Sequence, residues 1–202
     1  SGVTPPVHGE VSLTGDAMMD LALELAARGR GATSPNPMVG AVVTQGDQIV
    51  GCGFHERAGG PHAEIVALDE AGVAASGATM YCTLEPCCHT GRTGPCVERI
   101  VRAGVRETVV GVEDPDPRVS GAGIQFLRDK GIRVTVGVRR QEATRLNEAF
   151  FTVKRRARPF VTLKVAVSLD GRIAEAPGRR TQLSGAAAVA HAHTLRADVD
   201  AI

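Results

Sequence analysis

Residues 39–72, VGAVVTQGDQIVGCGFHERAGGPHAEIVALDEAG, decide how this chain folds. VGAVVT (39–44) and QIVGCGF (48–54) are short apolar runs joined through Gly46 and Asp47, a β-hairpin signature. PHAEIVALDEAG (61–72) then reads as a short helix: Pro61 precedes it, and Ile65, Val66 and Leu68 make its core side.

The same alternation extends both ways. Upstream, Asp16 can cap a helix running to about Arg28, with Met18, Leu21 and Leu25 as its apolar stripe. GRGATSPNP (29–37) stops it with Gly and Pro. Downstream, ATMYCTLE (78–85) is a third, buried strand, and Pro95 opens a helix containing Val97, Ile100 and Val101. ETVVGV (107–112) is a fourth strand, DPDPRVSGAG (114–123) a turn-rich loop, IQFLRDKG (124–131) a helix and IRVTVGV (132–138) a fifth strand. Strands alternating with helices predict a layered α/β domain ending near Gly137, from which one helix, QEATRLNEAFFTVKRR (141–156), leads out. RARPF (156–160) marks a boundary. A strand, FVTLKVAVSLDG (160–171), and a helix, GAAAVAHAHTLRA (185–197), follow, and DVDAI (198–202) begins another strand. Residues 159–202 are too few to bury a core alone and read as the first βα unit of a second domain.

Composition narrows the function. The 202 residues are 43% hydrophobic and 22% charged with a net charge of +1, so no global basic field exists for nucleic acid or an anionic membrane. One Tyr, five Phe and no Trp are too few for a base-stacking platform. No apolar run approaches the roughly 20 residues of a membrane span. The opening SGVTPPVHGEVSLTG has no basic-then-apolar signal pattern. The expected compartment is the cytoplasm, where Cys52, Cys82, Cys87, Cys88 and Cys96 stay reduced and serve as ligands or core.

Three of the potential ligands fall into one order. His62 opens HAE (62–64), and TLEPCCHTGRTGPC (83–96) carries Cys87 after a Pro and Cys96 at a helix start. One imidazole and two thiolates make a catalytic zinc set that leaves the fourth position for water. Helix starts favour the thiolate form. Glu64, within a turn of His62, is placed to take the water's proton and hand it to a leaving amine, the division of labour of zinc nucleobase deaminases. A lone His-x-Glu means little, and free cysteines are often core; a structural zinc with Cys88 or His89 as fourth ligand is the alternative. Cys52 and Cys82, in apolar strands, read as core, and Cys88 as core or a neighbour of the site. In the loop between the ligands, Gly91 and Gly94 let backbone approach a ligand. Arg92 suits phosphate, and His89 a phosphate or a base edge.

Taken with SPNPMVGAVV (34–43), GCGFHERAGGPHAEIVAL (51–68), DPDPRVSGAGIQFL (114–127), LNEAFF (146–151) and RPFVTLKVAVSLDGRIA (158–174), these stretches closely resemble the bifunctional RibD family of riboflavin biosynthesis, from about Asp16 to the last residue. That family joins a diaminohydroxyphosphoribosylaminopyrimidine deaminase to a phosphoribosylaminouracil reductase. The resemblance implies a cytidine-deaminase-like α/β/α three-layer domain around a five-stranded mixed sheet at 1–145, a linker helix at 146–158, and at 159–202 the first βα unit of a dihydrofolate-reductase-like domain. It implies zinc on His62, Cys87 and Cys96 with Glu64 as proton shuttle, Asn36 and His55 on the pyrimidine, and His89 and Arg92 on the ribose phosphate. Lys164 and Ala166 would lie near NADPH and substrate, and Arg196 at the substrate phosphate, but most of the NADPH site would lie beyond Ile202, so no reductase activity is expected. The expected partner is a small phosphorylated pyrimidine, with a homo-oligomer as a further expectation. Two positions depart from the family: Cys88 replaces its usual Ser and Gly94 its usual Pro, and Gly94 should loosen the loop. Rival readings are another deaminase of this fold, acting on a nucleoside, guanine or tRNA adenosine, a zinc-stabilised module without chemistry, or an idle subunit of a larger assembly.

Overall fold

The computed structural model describes residues 15–88, 94–116, 119–179 and 181–202. Its elements are α1 (Gly15–Ala27), β1 (Gly40–Gln45), β2 (Gln48–Phe54), α2 (Ala63–Ala71), β3 (Thr79–Leu84), α3 (Cys96–Arg102), β4 (Glu107–Val112), α4 (Ala122–Asp129), β5 (Arg133–Val136), α5 (Arg140–Leu146), α6 (Glu148–Arg156) and α7 (Ala186–Ala197). The five strands make one mixed sheet in the order β2-β1-β3-β4-β5. β1 is antiparallel to β2 and β3, and the β3–β4 and β4–β5 pairs are parallel. The expected hairpin forms, with a register shift between Val43 and Thr44.

Side chains alternate across the sheet, so one strand feeds two cores. Ala41 and Val43 of β1 pack with Met80, Cys82, Leu68, Val97, Ile100 and Leu127 on the face covered by α2, α3 and α4. Val42 points the other way, onto Met18, Met19, Ala22 and Leu25 of α1. A third cluster, Leu84, Val112, Ala143 and Phe151, ties α5 and α6 to the ends of β3 and β4. The result is the expected three-layer arrangement.

Several local expectations change. Asp16 lies inside the first turn of α1 rather than capping it. The buried side of α2 is Ala63, Glu64, Ala67, Leu68 and Ala71, with Ile65 and Val66 only half-buried. β2 sets this choice: a Cβ at Gly51 would run into the Ala67 carbonyl, and one at Gly53 into the Ala63 carbonyl. Glycines opposite alanines let helix and strand backbones approach, so α2 turns its alanines inward. The single helix expected over 141–156 is two, α5 and α6, broken at Asn147. The strands expected at 160–171 and 198–202 are absent, and Val161, Leu163, Val165, Val167 and Leu169 are all exposed; no described strand lies alongside to complete their hydrogen bonds.

Candidate metal centre and cleft

Three helix and strand ends converge on one spot. His62 is the N-cap of α2, and its side chain makes no capping bond. Cys96 is the first residue of α3, behind Pro95. Cys87 follows β3, and its carbonyl accepts the Val97 amide at 3.2 Å. The ligand atoms of His62, Cys87 and Cys96 all lie within 4.8 Å of one another. His62 Nδ1 is 3.2 Å from Cys96 Sγ and 3.5 Å from Cys87 Sγ. In a tetrahedral zinc site, N and S ligands stand about 3.5–3.8 Å apart, so the three fit zinc with little adjustment.

The electrostatics fit as well. The hydrogen bond from the Cys96 side chain and that from His62 hold the Cys87 thiol far below its ordinary range. Cys96, facing that thiolate in a buried place, is pushed up. Without a metal the pair therefore carries one thiolate and one thiol, and metal binding displaces the Cys96 proton. The hydrogen bond to Cys87 raises His62. Beside them Glu64 is only 3% exposed, and burial pushes its carboxyl up to about 7.

His62, Glu64 and Cys87 border a cleft of about 210 Å³. One wall holds Asn36 and His55. His55 Nδ1 lies 2.9 Å from the Pro61 carbonyl, which can only accept, so Nδ1 carries the proton and Nε2 accepts from Asn36 Nδ2 at 3.1 Å. The His55 ring also meets His62 edge-on, centroids 5.6 Å apart. His89 and Arg92 lie outside the described residues. Lys164 and Arg196 are exposed and Ala166 is half-buried; none of the three lines the cleft. Cys82 is buried, and half-buried Cys88 packs against the main core, as expected of core cysteines.

Sequence reasoning missed the opposite wall: Glu85, Asp114, Asp116, Phe150 and Lys154. The Glu85 carboxylate is 3% exposed. It accepts four backbone amides, from Asp114 (3.1 Å), Gly121 (3.0 Å), Gly123 (2.9 Å) and Ile124 (3.2 Å). It thereby ties the Pro86-Cys87 step to the start of α4. A charged residue ending an apolar strand was the available signal. Lys154 Nζ pairs with Asp116 Oδ2 at 3.0 Å and stands over the Phe150 ring; nothing local in helix 148–156 announced that contact.

Comparison with known proteins agrees with this geometry. Residues 14–112 match the family described as the cytidine and deoxycytidylate deaminase zinc-binding region. Residues 159–202 match the RibD C-terminal domain. The riboflavin biosynthesis protein RibD of Aquifex aeolicus is 50% identical over 184 residues, 91% of this chain and 52% of that protein. That of Escherichia coli is 46% identical over 184 residues, 91% and 50% of the two. The chain spans about half the length of the curated relatives it matches. Among solved structures, Acinetobacter baumannii RibD superposes with a TM-score of 0.87 at 48% identity, over 90% of this chain and 51% of that one. Aspergillus oryzae Rib2 deaminase, solved in complex with DARIPP, gives 0.52 at 26% identity, over 67% and 91%. Over the residues it spans, the chain belongs to the RibD family.

Proposed function

We propose that residues up to about 156 form a zinc-dependent deaminase acting on diaminohydroxyphosphoribosylaminopyrimidine in riboflavin biosynthesis. The observation that carries this reading is a buried carboxyl, Glu64, set against a His-Cys-Cys ligand triangle at the floor of a cleft. His62, Cys87 and Cys96 would hold the ion. Bound there, zinc would acidify a water and leave it nucleophilic near neutral pH. Glu64 takes the attacking water's proton on a carboxylate oxygen and returns it to the amino nitrogen leaving the ring carbon. One water is consumed, a ring carbonyl forms and ammonia departs. A raised proton affinity suits both halves of that task. Asn36 and His55 form the wall for the pyrimidine. His89 and Arg92 are proposed for the ribose phosphate on the resemblance alone.

Residues 159–202 are proposed as the opening of the reductase unit, with Lys164, Ala166 and Arg196 destined for its NADPH and substrate sites. The exposed apolar stretch 161–169 supports association with further chain, a homo-oligomer included. Five free cysteines suit a reducing compartment such as the cytoplasm. Among the described residues no helix is long and apolar enough to cross a membrane.

The test is ammonia release from the phosphorylated pyrimidine, beside cytidine, with metal content on the same sample. Release from the phosphate alone with one zinc per chain is expected. Zinc without release from either would point to a structural zinc module.

A further inference from the structure

We propose that Asn147 is a positioning residue for pyrimidine recognition, holding the two walls of the cleft together; this rests on the reading just given. Asn147 sits between α5 and α6 as the N-cap of α6, a place where asparagine side chains commonly cap the helix. Here the side chain makes no cap bond. Both its groups go to a residue far away in sequence: Oδ1 accepts the Met38 amide at 2.8 Å, and Nδ2 donates to the Met38 carbonyl at 2.8 Å. At 4% exposed, the amide stands in for a strand partner, satisfying both the donor and the acceptor of the half-buried Met38 backbone.

Met38 belongs to the stretch that forms the recognition wall. Asn36, Pro37 and Val39 line the cleft, and the Val39 carbonyl accepts the His55 amide at 2.9 Å. On the other side of Asn147, Phe150 and Lys154 line the cleft from α6, three and seven residues on. Those spacings place both on the helix face that begins at Asn147. One amide thus sets where Asn36 stands relative to Phe150 and Lys154. The zinc ligands and Glu64 are carried by α2, α3 and the end of β3, and the described bonds of Asn147 run to none of them. Recognition and metal binding should therefore separate on mutation.

The experiment compares zinc-loaded wild type, Asn147→Ala and Asn147→Asp. The Asp variant keeps an acceptor for the Met38 amide and sets an oxygen against the Met38 carbonyl. Zinc competition against a chelator should be unchanged in both. KM should rise about tenfold in Asn147→Ala, the factor for 1.4 kcal/mol, with kcat within about threefold, and at least as much in Asn147→Asp, whose buried carboxylate is repelled by the Met38 carbonyl. The Asn36 side-chain amide signals in a ¹⁵N spectrum should shift in both variants, a readout needing no substrate. KM within about twofold of wild type together with unmoved Asn36 signals overturns the proposal. So does zinc affinity falling in step with KM, or failure of both variants to fold, which would make Asn147 a folding determinant only. Should the wild type release no ammonia, the deaminase reading falls by itself, and the Asn36 signals still decide the clamp.

Discussion

Without a metal, burial raises the Glu64 carboxyl to about 7, because α2 turns it inward with its alanines. Replacing it with Gln should leave one zinc per chain and cut ammonia release by about 10²–10⁴-fold or more, the range for a general acid–base group; retained turnover would remove Glu64 from the mechanism. The same burial makes a prediction about stability. In chelated protein, Glu64 titrates near 7 when folded against an ordinary 4.5. Between those values the folded state holds a proton that the unfolded chain has released, so its contribution to stability falls as pH rises through that window. The loss is on the order of 3 kcal/mol at about 1.4 kcal/mol per unit. Denaturation midpoints taken across the window should slope less in chelated Glu64→Gln than in wild type. Zinc should also flatten the wild-type slope, since a nearby cation favours the charged carboxylate. Of the site, His62, Glu64, Cys87 and Cys96 were legible because ligand chemistry permits few residue types in that order. Asp116 and Lys154 were not, since a surface charge and a cleft charge look alike until the loop and helix are placed.

Among the elements, all five strands of the sheet could be read, because alternation and turn residues are local. What could not be read depended on distant partners. The larger side chains Ile65 and Val66 suggest one inward face for α2, whereas Gly51 and Gly53 on β2 admit only its small face. The break between α5 and α6 was invisible because the partner that draws Asn147 out of a continuous helix is Met38. Glu85 shows the same kind of dependence, joining β3, the Asp114 loop and the start of α4 through four amides. Glu85→Gln keeps the shape but exchanges an acceptor oxygen for a donor, which faces the amides that oxygen had satisfied. Chemical denaturation of the zinc-loaded variant should show a loss of about 1–3 kcal/mol or more, the cost of orphaned buried donors. An unchanged midpoint would mean that the loop relaxes to satisfy them elsewhere.

At the scale of the whole molecule, residues 160–171 show the limit of pattern reading. Their alternation spells a strand, but a strand exists only where another lies beside it, and Leu163 is 83% exposed. Amides across 160–170 should exchange within seconds to minutes in the 202-residue chain, while β1, β3 and β4 stay protected; strong protection at 160–170 would show that something pairs with it. The arrangement of the cleft carries a different implication. The ligand triangle His62, Cys87 and Cys96 comes from residues 62–96, whereas Asn36, His55, Asp114, Asp116, Phe150 and Lys154 of the cleft lining come from other loops and a separate helix. On the proposed reading, chemistry and selectivity are thus inherited on different stretches of chain. Substitutions can accumulate in the walls and redirect the enzyme to another amino-substituted ring without passing through a form that has lost its metal. One reaction can then be kept through many changes of substrate.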